Sequence, residues 1–250
     1  MNTRYYYLHV PKTAGTSVTQ WLSDSGRFSI CPDALWSLLL ARKKEELAQF
    51  SLFCGHFYRY LSAYLGYSLR TFTFVRNPFE RALSHYEHVR RDRSHYYHER
   101  VRAQGSFLAF LRDPVTQPLV RNFQTRAFSA VFDLAKVADA LAQPQNQGCT
   151  LEQYLETADS GLDDSTALLL AKDFLSRCIF VGVSEQMQKS VGQMAGILGI
   201  SGKKHVEFLN KNPNAVTVDS LSREEWSQLA ALLEADWELY EFAPGQFRNY

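Results

Sequence analysis

The stretch from Tyr5 to Leu22, YYYLHVPKTAGTSVTQWL, limits the possible fold more than any other part of the chain. Tyr5 to Val10 is an aromatic and aliphatic run of the length of a buried strand. Pro11 to Thr16 is a tight loop with one Gly and one Lys, and Ser17 is placed to cap the helix that follows. A strand, a small-residue loop and a helix N-terminus together build an anion site. Free backbone N–H groups converge there, and the helix dipole adds roughly half a positive charge. Lys12 adds a full charge from within the loop. The loop that binds nucleoside triphosphates reads Gly, four residues, Gly-Lys, then Ser or Thr. With Gly15 and Ser17 aligned to it, Val10 stands at the first Gly position and Thr16 at the Lys position. The segment is therefore a phosphate loop of a different make. A surface β-turn-α connection with a solvated Lys is the plainer alternative.

Two later segments carry chemistry. Ser51 to Cys54 is a short apolar run ending in Gly55-His56. A Gly at a strand end permits a sharp turn, and a His there, with an ordinary pKa of about 6.5, can act as a general base. A hydrogen-bonded structural His is the default reading. Leu69 to Val75 is the clearest strand, dense in aromatic and β-branched residues, and it runs into Arg76-Asn77-Pro78. Pro78 starts a helix through Arg93. Arg76 and Ser84, two turns into that helix, can face one pocket and grip a phosphate, although Arg76 pairing with Glu80 is an equally ordinary role.

At these residues a family resemblance enters. HVPKTAGTS resembles the 5′-phosphosulfate loop of sulfotransferases, in the branch related to heparan/uronyl 2-O-sulfotransferases and their bacterial relatives. FVRNPFERALSHY resembles the 3′-phosphate motif of the same enzymes, with Arg76-Asn77-Pro78 where Arg-Asp-Pro is frequent. The donor implied is 3′-phosphoadenosine 5′-phosphosulfate (PAPS), and no metal is required. The resemblance implies His56 as catalytic base and Lys12 as the residue that neutralises the leaving group. It also implies Thr13, Ala14, Gly15, Thr16 and Ser17 around the 5′-phosphate, and Arg76 with Ser84 on the 3′-phosphate. Asn210 and Lys211, in a polar loop between Gly199 and Val218, are candidates for a lid over the nucleotide; an ordinary surface loop is the alternative. Related bacterial proteins share the Asn122-x-Gln124-Thr125-Arg126 segment. Alternation along it would aim Gln124 and Arg126 at the substrate, with donor and acceptor both open.

The remaining chain agrees with an α/β protein whose parallel, P-loop-like central sheet has helices on both faces, expected as one domain over residues 1–250. Helices are expected from Pro32-Asp33 through Phe50, over Ser106–Pro114, Thr150–Ala158 and Asp164–Arg177, and from Met187 to Leu198, the last capped by Ser184-Glu185 after the strand Ile179–Val183. A final helix over Ser222–Leu239 should open with a Ser222–Glu225 capping box and turn Trp226, Leu229, Leu233 and Trp237 inward.

Lys plus Arg (27) nearly balance Asp plus Glu (26), so no global field advertises nucleic acid or a membrane. Arg76 to Arg102 nevertheless holds seven Arg against four acids, a local surface suited to an anion. His85, His88, His95 and His98 fall in the same stretch, but no acid completes a ligand pattern and no metal is expected. The four cysteines are dispersed and fit a reducing compartment. MNTRYYYLHV shows no cleavable signal and no spanning run, so a bacterial, cytoplasmic protein is expected. The acceptor, a saccharide or another small hydroxylated molecule, is not specified by the sequence, and neither is the oligomeric state. Two rival readings stay open: a P-loop phosphotransferase using ATP and magnesium, and a nucleotide-binding protein without catalysis.

Overall fold

A computed structural model of the chain describes residues 3–143, 146, 149–158, 161–201, 205–206 and 216–243. Four strands form the sheet: β1 (Tyr5–Leu8), β2 (Leu52–Gly55), β3 (Arg70–Val75) and β4 (Phe180–Val183). All pair in parallel, in the order β2-β1-β3-β4. Fourteen helices accompany them among the described residues. The first seven are α1 (Gly15–Asp24), α2 (Trp36–Leu40), α3 (Lys44–Leu47), α4 (Leu61–Leu65), α5 (Pro78–Arg91), α6 (His98–Gln104) and α7 (Phe107–Arg112). They are followed by α8 (Phe123–Ser129), α9 (Leu134–Leu141), α10 (Leu151–Thr157), α11 (Asp164–Arg177), α12 (Met187–Leu198), α13 (Arg223–Leu232) and α14 (Glu234–Phe242).

The two faces of the sheet follow from strand alternation. Tyr5 and Tyr7 pack with Val18 and Leu22 of α1 and with Val191 and Met194 of α12. Tyr6 and Leu8 point the other way, into a core with Trp36, Phe128, Leu175 and Leu239 from α2, α8, α11 and α14. With both faces covered, every strand is buried along most of its length, which is why β1 and β3 read as continuous apolar runs. A third cluster, built on Leu83, Tyr86, Phe107, Phe110 and Leu229, joins α5 to α7 and α13. No described helix is long and apolar enough to cross a membrane.

Three local expectations are corrected. The helix anticipated between Asp33 and Phe50 is two short ones, α2 and α3. Arg42 folds back to a salt bridge with Asp33, and its N–H bonds the Leu39 carbonyl three residues back, which closes the turn instead of continuing it. The terminal helix is broken at Leu233 into α13 and α14. The Ser222–Glu225 capping box forms, and Leu229 and Leu233 are buried. Trp226 and Trp237, expected inward, stay 52% and 39% exposed, and each packs its ring on Phe79. Finally, Ser184 does not cap α12, whose first turn follows a 3-10 turn over Ser184–Gln186.

Candidate active site

Ligands of open parallel sheets bind beyond the strand carboxyl ends, where connections leave in opposite directions. In this sheet that place lies around β1, between β2 and β3. The loop after β1 holds Lys12 and Ala14 in the left-handed backbone region, φ 71° and 66°, with Thr13 between them. Each such non-Gly residue costs about 1 kcal/mol or more, and alternation of this kind turns successive N–H groups toward one anion. Thr13 is fully buried, and its hydroxyl donates to the Val10 carbonyl at 2.9 Å, so this side chain braces the loop. The helix begins at Gly15 with Ala14 as its N-cap and no side-chain cap. Ser17 therefore sits inside the first turn and not at the cap expected for it, because left-handed Ala14 has already turned the chain into helix. Thr16, beside it, is exposed.

Gly15 has a steric reason: a Cβ there would lie 1.7 Å from His9 Nε2. The His9 ring fills that space and lies 4.4 Å, centre to centre, from the His56 ring. Leu8 and Gly55 are register partners in adjacent strands, which brings the two imidazoles level. Gly55 too admits no side chain, since a Cβ would meet the Ala34 carbonyl oxygen at 2.4 Å. The His56 N–H donates to that same carbonyl at 2.9 Å. Its ring Nδ1 lies 2.7 Å from the His9 carbonyl oxygen. A carbonyl only accepts, so Nδ1 carries the hydrogen and Nε2 keeps its lone pair. Burial pushes the His56 pKa below the ordinary value, against the opposing pull of the His9 carbonyl and of Glu156 and Glu152. His56 is thus a neutral imidazole in a fixed orientation.

Lys12 is held near pKa 8 by burial, with Arg76, Arg91 and Arg81 adding to the depression and Glu156 opposing it. The Arg76 guanidinium reaches across from the end of β3, donating from Nη1 to the Lys12 carbonyl at 3.1 Å and from Nη2 toward Glu80 at 3.4 Å. Of the two roles weighed for this arginine, the pairing with Glu80 is present, and the guanidinium also bonds the loop after β1. Asn77 caps α5, accepting from the N–H groups of Phe79 and Glu80. Ser84 is half-buried one turn beyond Glu80 on the same helix. Lys12, His56 and Arg76 accordingly stand at the ends of three adjacent strands.

Gln124 and Arg126 do not share a direction. The segment is helix α8, not a strand, and residues two apart on a helix point roughly 200° away from each other. Gln124 clamps the Arg76 backbone, accepting from its N–H at 2.9 Å and donating to its carbonyl at 2.8 Å. Arg126 donates to the carbonyls of Pro118 and Ala158, at 2.6 and 2.9 Å. Asn210 and Lys211 lie outside the described residues.

Several contributors have no sequence signature. Ser184 Oγ lies 3.0 Å from the carbonyls of both Thr13 and Val75 and ties the loop to β3. Asp236, from α14, accepts from the N–H groups of Gln124 and Thr125 and so caps α8. Only the left-handed Asn122, φ 40°, which accepts from the Asp236 N–H, hints at this turn from within the motif. Glu156, from the plain amphipathic helix α10, acts electrostatically on both Lys12 and His56.

A family model described as "Sulfotransferase family" matches residues 3–243. No curated protein matches the chain.

Proposed function

The chain belongs to the sulfotransferase family, and from that premise we propose that it transfers a sulfuryl group from PAPS to an acceptor hydroxyl, with His56 as general base. The observation that carries this reading is the convergence just described: an oriented neutral imidazole, a loop lysine and an arginine on three neighbouring strand ends.

The residues present suit such a donor. The first-turn N–H groups of α1 have no side-chain cap to compete with a phosphate. Lys12 and the amides of Thr13 to Ser17 would hold the 5′-phosphosulfate end. Arg76 and the Ser84 hydroxyl would hold the 3′-phosphate, which requires Arg76 to exchange its long contact with Glu80 for a stronger one. PAPS, when bound, supplies an activated sulfuryl group. His56 Nε2 would take the proton of the acceptor hydroxyl, and Nδ1–H against the His9 carbonyl keeps the ring fixed as its charge changes. Lys12 would offset the negative charge left on the 5′-phosphate as the acceptor–sulfur bond forms, the bond from sulfur to that phosphate breaks and adenosine 3′,5′-bisphosphate leaves. Binding far from the reacting atoms, by Arg76, orients the donor. The acceptor proposed is a saccharide or another small hydroxylated molecule, and the setting proposed is a bacterial cytoplasm.

The phosphotransferase reading is less well supported. After β4 it would want an acidic metal-binding residue; Ser184 stands first, and the Glu185 carboxylate that follows already accepts from the Asn77 N–H and the Tyr240 hydroxyl. The test is transfer from sulfur-labelled PAPS with and without chelator, alongside calorimetric titration with adenosine 3′,5′-bisphosphate. Chelator-insensitive transfer and bisphosphate binding are expected. Transfer that needs ATP and magnesium, or no bisphosphate binding, would overturn the proposal.

A further inference from the structure

Two side chains of the first strand region converge on His56 without a role in the chemistry above. The Tyr6 hydroxyl, from β1, stands between the two residues that flank His56. It accepts from the Phe57 N–H at 3.1 Å and donates to the Gly55 carbonyl at 3.4 Å. That carbonyl also accepts from the His9 N–H at 3.0 Å. Tyr6 is 2% exposed and its ring packs beside Phe57, so a phenylalanine would fill the same core volume. The hydroxyl is the only part a phenylalanine would lack, and burying it is unfavourable unless it is bonded. Its two bonds fix the peptide groups on either side of His56.

His9, the first residue after β1, works on the ring. Its carbonyl takes the Nδ1 hydrogen, and its side chain packs on the His56 imidazole with 34° between the planes. The His9 ring is itself confined. It lies 14° from parallel with Tyr7, and it occupies the space a side chain at Gly15 would need. The start of α1 therefore backs His9, and His9 backs His56. Burial holds the His9 pKa well below the ordinary value, with His56 and Lys12 adding to the depression, so His9 stays neutral beside the proposed base.

We propose that Tyr6 and His9 are positioning residues for His56: the phenol fixes its backbone and the His9 ring fixes its imidazole. One segment, Tyr6 to Lys12, then sets the place of the base together with that of the loop that would hold the donor. The proposal rests on the reading of His56 as general base. Both residues act through His56 and not on the reacting atoms. The loop after β1 has bonds of its own, from the Thr13 hydroxyl, Ser184 and Arg76, so donor binding should be spared when either residue is changed.

The test is a double-mutant cycle in kcat, with sulfur-labelled PAPS as donor and methyl α-glucopyranoside as acceptor. Tyr6→Phe and His9→Ala should each lower kcat by about tenfold, within the range for a slightly misplaced catalytic group. Each should bind adenosine 3′,5′-bisphosphate within about threefold of the wild type. In the His56→Ala background neither should lower kcat further, because the group they position is gone. A loss of the same size in both backgrounds, or full kcat in the single variant, would overturn the role of that residue. Nuclear magnetic resonance gives a readout independent of turnover. The His56 Nδ1 hydrogen should exchange with water at least about tenfold faster in both variants than in the wild type. His9→Ala opens one face of the ring and leaves Glu156 and Glu152 in place, so the His56 pKa should rise toward the ordinary value of about 6.5. Unchanged exchange in either variant, or an unchanged pKa in His9→Ala, would overturn the positioning role. Absence of transfer by the wild type, or undiminished kcat in His56→Ala, would instead overturn the reading beneath it, and the resonance measurements would still decide whether Tyr6 and His9 hold the ring.

Discussion

As the proposed partner of the donor phosphates, Lys12 should make donor affinity dependent on pH. In the free protein burial and three arginines bring its pKa to about 8. At pH near 7 roughly nine-tenths of the side chains are charged, and near pH 9 roughly one-tenth. A bound bisphosphate favours the ammonium and raises that pKa, so affinity is full below about 8 and falls as pH rises through it. If the pKa in the complex reaches 10 or more, the loss between pH 7 and 9 is about tenfold, or about 1.4 kcal/mol. Neighbouring groups do not blur the window. His9 and His56 are depressed and already neutral at pH 7, and Tyr58 and Cys54 are pushed upward by burial. The ligand phosphates complete their ionisation near pH 6. The assay is titration calorimetry with adenosine 3′,5′-bisphosphate at about half-unit steps of pH. Lys12→Arg should flatten the profile, because a guanidinium does not titrate in this range. A flat wild-type profile, or an unchanged decline in Lys12→Arg, would refute the assignment of Lys12 to the donor phosphates.

Five further outcomes follow from the same geometry. His56→Ala should lower kcat by about two to four orders of magnitude and leave bisphosphate affinity intact. In the wild type the acid limb of the rate profile should fall below the ordinary histidine pKa, because the neutral ring is the active form and burial depresses its pKa. Arg76→Ala should weaken adenosine 3′,5′-bisphosphate far more than adenosine 5′-phosphate; equal losses in calorimetry would reject its 3′-phosphate role. Gln124→Leu strips the Arg76 backbone of both clamping bonds. It should cost about 2 kcal/mol in denaturant unfolding and about tenfold in bisphosphate affinity. Asp236→Ala leaves two N–H groups of α8 without their cap and should cost about 3 kcal/mol, read as a lower unfolding midpoint.

What could be read from the chain in advance was local. The strands β1 and β3, the loop after β1, the turn at Gly55-His56 and the Pro78 helix start each carry their information within about ten residues, in periodicity or turn chemistry. The errors arose where a local pattern had two solutions. Gln124 and Arg126 alternate as a strand would, but the Asp236 carboxylate, 112 residues from Gln124, caps the segment as a helix. Trp226 and Trp237 have the spacing of core residues, yet the break at Leu233 leaves them flanking Phe79 at the surface. Glu156 gave no signal at all, since a single acid on an amphipathic helix gains meaning only from the two histidines packed against it.

The same distances explain how the site can hold strain. Two left-handed non-glycine residues in the loop after β1 store free energy that the loop alone would release by relaxing. Ser184, just past β4, bonds the Thr13 carbonyl, and Arg76, just past β3, bonds the Lys12 carbonyl, so the strained loop is gripped from the ends of two other strands. Arg76 is fixed in turn by Gln124, and Gln124 sits at a helix end capped by Asp236 of α14. Each bond in this series adds only about 1 kcal/mol, yet the bonds share members and cannot be lost independently. The conformation of the loop after β1 is therefore determined jointly by the first strand and by a helix more than two hundred residues away. A segment that reads as a self-contained motif takes its shape only in the finished fold.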